Sequence, residues 1–142
     1  MRLGDFKVLT FDCYGTLIDW ETGIVAALAP ALATRGLAVP REEMLASFAR
    51  HESAQEAETP GMVYSALLAQ VHRRLCAEWR VASSEADHRA FGASVGDWPA
   101  FTDSPAALAY LGRFYKLVVL SNVDRQSFAK SAEKLGVQFD AV

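Results

Sequence analysis

The stretch VLTFDCYGTLIDW, residues 8–20, decides the fold. Its opening is β-branched and aromatic, and with the residues just before it predicts a strand over 6–11. The nearly continuous apolarity predicts burial on both faces, as in a parallel sheet. The strand then runs into Asp12, and a carboxylate ending a buried strand is costly unless it is paired or used. The loop Cys13-Tyr14-Gly15-Thr16 follows, and its backbone N–H groups can cradle an anion. Gly15 permits a close turn, and the Thr16 hydroxyl can fix the orientation of the carboxylate. Strand alternation points Cys13 into the core, opposite Asp12.

Beyond Trp20 the periodicity turns helical. Ile24, Leu28 and Leu32 recur at fourfold spacing, Pro30 predicts a kink or break, and Gly36 supplies a stop. A second helix is expected after Pro40 and is broken by Thr59-Pro60-Gly61. A third carries the stripe Val63, Leu67, Val71 and Leu75, and a fourth covers the region from Ser83 to Val95. Alternation then resumes. Ser104 and Pro105 signal a helix start, with Ser104 as the cap. KLVVLSN, 116–122, reads as a second buried strand ending in polar residues. Phe128, Ala132 and Leu135 mark a helix closed by Gly136, and VQFDAV, 137–142, begins a third strand. The expected fold is α/β: a Rossmann-like parallel-sheet core over 1–18 and 98–142, with a helical cap inserted over 19–97.

With 142 residues, 51% hydrophobic and 22% charged, the chain can build a real core. A net charge of -3 without a basic cluster argues against nucleic acid. No apolar run reaches the ~20 residues of a membrane span, and the N-terminus has no signal-peptide h-region. Cys13 and Cys76 are far apart and show neither a disulfide framework nor metal spacing. A soluble, cytoplasmic protein is the expectation. His51, His72 and His88 fall on cap helices beside charged neighbours and read as surface residues without metal-ligand spacing. Trp20, Trp79 and Trp98 read as packing anchors, with Trp20 near enough to the loop to line a pocket.

In an open parallel sheet, ligands sit beyond the carboxyl ends of the strands. Asp12 ends the first strand, and Ser121 and Asn122 end the second. A lone Asp in such a place more often caps a turn. The combination of FDCYGTL, one helical insertion and VVLSN resembles the haloacid dehalogenase superfamily, in which a strand ends in an aspartate nucleophile and a second strand ends in Ser or Thr. Tyr14 narrows the resemblance. Phosphatases of that superfamily carry an acid two residues after the nucleophile, to protonate a leaving alkoxide. Tyrosine, with an ordinary pKa of about 10, substitutes poorly. Halide leaves as a stable anion and needs no proton, and DxYGTL resembles the metal-free L-2-haloacid dehalogenase branch.

The resemblance implies that Asp12 attacks the halogen-bearing carbon of a short 2-haloacid, forming an ester that water hydrolyses. It implies that Ser121 and the N–H groups of Cys13 and Tyr14 hold the substrate carboxylate, that Asn122 receives the halide, and that Thr16 orients Asp12. It also implies a cap arginine near the halide, for which Arg50 is the candidate and Arg41 a poorer one. No cofactor is implied. A magnesium-dependent phosphatase of the same superfamily is the alternative, and a non-catalytic fragment or interaction module is a third reading. Family members are often dimers, so a homodimer is the implied assembly. The family's later lysine and acidic motifs have no counterpart here, and Lys130 and Lys134 lie in the helix before the third strand. The expectation is a C-terminally truncated core with impaired ester hydrolysis.

Overall fold

The computed structural model describes residues 3–142; residues 1 and 2, which open the expected core segment, lie outside it. The chain divides into two compact units, one formed by Met1–Trp20 with Gly96–Val142 and the other by Glu21–Val95.

In the first unit, β1 (Val8–Phe11) pairs in parallel with β2 (Lys116–Val119), Phe11 opposite Val119. Leu9, Phe11, Leu117 and Val119 share one face of the sheet, and it is the covered one. Val8 and Thr10 share the other face, where Val8 is 46% exposed. The expectation that β1 is buried on both faces is therefore corrected: among the described residues only one face is covered. The 137–142 segment does lie beside β2. Val119 N–H donates to the Ala141 carbonyl at 3.0 Å and Asp140 N–H to the Leu117 carbonyl at 2.8 Å, although the pairing is a single bridge.

Two helices complete this unit, α5 (Ser104–Leu111) and α6 (Arg125–Leu135), named here in chain order after α1–α4 of the second unit. Asp103, not Ser104, takes the cap position of α5, and Ser104 is its buried first residue. The shift follows from Pro105, which suits either of the first two helical positions and so leaves the start one residue free. In α6, Asp124 caps by accepting from Ser127 N–H at 3.0 Å, and Gly136 closes the helix at φ +66°.

The second unit holds α2 (Arg41–Glu58), α3 (Tyr64–Glu78), α4 (Glu85–Ala93) and all but the first residue of α1 (Trp20–Ala33). The expected break at Pro30 does not occur. Pro30 sits exposed inside an unbroken α1, where it removes one backbone donor within the last turn and a half. Gly36, at φ +62°, ends the turn that follows. Ile24, Leu28, Leu32, Phe48, Leu68, Val71 and Leu75 fill this core. Among the described residues no helix is long and apolar enough to cross a membrane.

Here the reading of the histidines needs correction. His51 is half-buried, and His72 and His88 are buried, 2% and 3% exposed. Their charged sequence neighbours lie on other faces of α3 and α4, so proximity in sequence misled. The two rings face each other, Nδ1 to Nδ1 at 2.9 Å, and Phe91 stacks on His72 at 4.7 Å between centroids. Burial, and then His88, push the His72 pKa down to about 4, against a smaller pull upward from Asp87. His88 is lowered by burial and by Arg73, opposed by Glu85 and Asp87. Between pH 6.5 and 4 the unfolded chain therefore takes up a proton that folded His72 refuses. The His72 contribution to stability should be complete above pH 6.5 and be lost progressively, by at most about 3 kcal/mol, as pH drops toward 4, read by comparing urea unfolding of the chain and of His72→Gln in chelator.

Candidate active site at the strand ends

Parallel pairing puts the carboxyl ends of β1 and β2 at one edge, and Leu120 N–H donates to the Phe11 carbonyl at 2.9 Å there. Asp12 follows β1 at this edge, and Ser121 and Asn122 follow β2. The loop after Asp12 winds around one atom. The Cys13 carbonyl accepts from the N–H groups of Thr16, Leu17 and Ile18 at 3.3, 2.7 and 3.0 Å. Gly15 N–H closes the turn onto the Ile18 carbonyl at 2.8 Å. Gly15 adopts φ +96°, and a Cβ there would lie 3.2 Å from the Trp20 indole nitrogen, so the turn needs glycine twice over. Asp19 N–H donates to the Pro99 carbonyl at 2.8 Å and clips the loop to the segment leading into α5.

This wrapping leaves the amides of Cys13 and Tyr14 without an acceptor among the described residues. Asp12 is exposed, and the Thr16 hydroxyl donates to its Oδ2 at 3.1 Å. That bond leaves the second carboxylate oxygen for chemistry. Cys13 is fully buried. Burial, helped by the charge of Asp12, pushes its thiol up to about 12. The site's use of Cys13 is thus confined to its backbone.

Tyr14 points its hydroxyl at Ser131 in α6, 3.0 Å away, and sets its ring edge-on to buried Trp98 at 5.7 Å. Burial dominates its acidity and pushes the phenol up to about 12, with the Ser131 bond working in the other direction and Cys13 and Asp124 adding to the rise. Ser131 is fully buried, a polar partner the sequence reading missed because it sits among the α6 residues assigned to a plain apolar face. Ser131→Ala strands the Tyr14 hydroxyl and should lose about 1–2 kcal/mol in urea unfolding.

Ser121 is half-buried, and its hydroxyl accepts from Val123 N–H at 3.2 Å; Asn122 is exposed. Asp12, Thr16, the two loop amides, Ser121 and Asn122 thus share one edge of the first unit. Arg50 belongs to the second unit. Its guanidinium pairs with Glu78 at 2.7 Å, and the same carboxylate takes His51 at 2.6 Å and Ser47 at 3.0 Å. Burial works to raise the Glu78 pKa, but these three hydrogen bonds outweigh it and hold the group below its usual range. Arg41, the poorer candidate, pairs with Glu21 at 3.0 Å. In the first unit, Lys134 donates to the Gly96 carbonyl, and Lys130 is exposed.

No protein-family model and no curated protein sequence matches the chain. Solved structures do match it. An L-2-haloacid dehalogenase aligns with a TM-score of 0.79 and 21% identity, over 96% of this chain and 60% of its own. The L-2-haloacid dehalogenase from Xanthobacter autotrophicus with chloropropionic acid covalently bound aligns at TM-score 0.76 and 17% identity, over 96% of this chain and 56% of its own. The magnesium-bound HAD-hydrolase candidate YfnB from Bacillus subtilis aligns at 0.74 and 15%, over 96% and 63%. The chain thus spans about three-fifths of the length of these structures and is matched along nearly all of its own. At such identities the likeness is one of fold. By its parallel strands, its inserted helices and these alignments, the chain has the α/β haloacid dehalogenase fold.

Proposed function

We propose that the chain carries the nucleophilic half-reaction of a 2-haloacid dehalogenase. One observation carries the reading: the residue two places after Asp12 is a tyrosine whose hydroxyl is engaged by Ser131 and held protonated. A phenol so weakly acidic and already engaged is a much poorer proton donor to a departing alkoxide than a carboxylic acid would be, and the site suits a leaving group that departs as a stable anion. Asp12, oriented by Thr16, attacks C2 of a short 2-halocarboxylate through its free oxygen. The new C–O bond forms as the carbon–halogen bond breaks, and halide leaves with the bonding pair. The amides of Cys13 and Tyr14, with the Ser121 hydroxyl, hold the substrate carboxylate, and Asn122 receives the halide. Hydrolysis at the ester carbonyl of Asp12, the second half-reaction, would free the 2-hydroxy acid; the proposal for this chain stops at the ester. Arg50 is the proposed cap contribution to the halide, at the expense of its pair with Glu78. The reading requires no metal.

The test is intact mass of the 142-residue chain after incubation with 2-chloropropionate in chelator, with folding checked by circular dichroism. An ester that maps to Asp12 is expected. A folded chain that forms no ester but releases phosphate from a small phosphomonoester only with magnesium would replace this reading with the phosphatase. A folded chain that does neither would leave the non-catalytic module.

A further inference from the structure

The helical unit contains a group of side chains that the strand-edge chemistry does not use. His72 and Cys76 stand four residues apart on α3 and so share one of its faces. His88 reaches them from α4. All three are at least 97% buried, and one ligand atom from each lies within 4.8 Å of the others. The Nδ1 atoms of His72 and His88 are 2.9 Å apart, and the Cys76 sulfur is 3.8 Å from His72 Nδ1. A tetrahedral Zn²⁺ ion, with bonds of about 2.0–2.1 Å to nitrogen and 2.3 Å to sulfur, sets its ligand atoms about 3.3–3.6 Å apart. Two of the three separations stand within about half an ångström of that spacing, and the third, from Cys76 to His88, lies within 4.8 Å.

The surrounding atoms point the same way. The imidazole–imidazole bond satisfies one nitrogen on each ring. Of the others, His88 Nε2 has the Ser83 hydroxyl at 3.5 Å and His72 Nε2 has the Cys76 sulfur at 3.6 Å, both weak partners for buried nitrogens. Ser83 stands where an outer hydrogen bond would fix the tautomer of a ligating His88. A cavity of about 280 Å³, walled in part by His72, Ser83, Asp87 and Phe91, opens beside the cluster and leaves room for a fourth ligand. Two nitrogens and one thiolate with an open fourth position favour a borderline-soft divalent ion over magnesium or calcium, which take oxygen.

We propose that His72, Cys76 and His88 form a binding site for a divalent transition-metal ion of the zinc type, with its fourth position facing the cavity. On binding, the Cys76 thiol gives up its proton and its sulfur bonds the ion. The imidazole that donated through Nδ1 moves that proton to Nε2, so both rings ligate through Nδ1 and one proton per ion is released.

The test uses the full chain, stripped with chelator and titrated with Co²⁺ and then Zn²⁺. One Co²⁺ per chain is expected, with a thiolate-to-cobalt charge-transfer band that Zn²⁺ abolishes. The band should vanish in Cys76→Ser and persist in Cys13→Ser, and His88→Gln should weaken binding about 100-fold. X-ray absorption at the zinc edge of the unmodified chain should give one sulfur and two imidazole nitrogens, a readout that does not depend on any variant folding. A folded chain that binds neither ion, a band that survives Cys76→Ser, or a zinc shell without sulfur would overturn the site.

Discussion

Asp12→Asn is expected to abolish covalent capture of 2-chloropropionate, by at least about 10⁴-fold in the rate of ester formation. The amide is close in shape to the carboxylate and can still accept from the Thr16 hydroxyl, so the loop around the Cys13 carbonyl should stay folded. What it lacks is the anionic oxygen whose lone pair attacks carbon. Loss of capture with unchanged unfolding would therefore be chemical rather than structural. Thr16→Val makes the companion measurement. It keeps the nucleophile and removes the bond that orients it, so ester should still form, about tenfold more slowly. Intact-mass time courses read both. An Asp12→Asn chain that still takes up the adduct would mean another residue is alkylated, and the proposed function would fall.

A loss of stability coupled to metal affinity is expected from a change at one glycine. Gly92 lies inside α4, where glycine is about 1 kcal/mol less favourable than alanine. Its presence there follows from packing. A Cβ on Gly92 would lie 2.2 Å from the Ser65 carbonyl oxygen of α3, and that oxygen is backbone, which cannot swing away like a flexible side chain. Gly92→Ala therefore forces α3 and α4 apart. The overpacking cost of about 1–3 kcal/mol is offset in part by better helix propensity. A net loss of up to about 2 kcal/mol in urea unfolding is the expected result. The same displacement moves His88, one turn before Gly92, away from His72 and Cys76, so cobalt affinity should fall in Gly92→Ala as well. Unchanged stability would show that the two helices yield without loss.

Much of this fold was legible because its signals are local. Gly36 and Gly136 stop helices by adopting a left-handed conformation that favours glycine, and the Thr16 hydroxyl reaches Asp12 within a single turn. What escaped notice depends on residues distant in the chain. Ser131 looks like any helical serine until Tyr14, 117 positions earlier, is brought against it. His72 and His88 sit among charged residues in sequence, and only the crossing of α3 and α4 turns them inward. A signal was available in part: His72 and Cys76 are spaced to share a helix face. β1 misled in a different way, since its composition suits two covered faces and one of them is open.

The burial of Cys13 has a practical meaning for anyone handling this chain with haloacids. Such compounds are alkylating reagents, and in most proteins a free thiol consumes them before any carboxylate does. Here the thiol beside Asp12 is sealed in and stays protonated, and Cys76 is likewise buried with its acidity suppressed, chiefly by that burial. On the proposed function the reagent is thus left to the carboxylate of Asp12. An adduct on this protein should have the chemistry of an ester, stable to thiols and released by hydroxylamine, where a thioether would resist both.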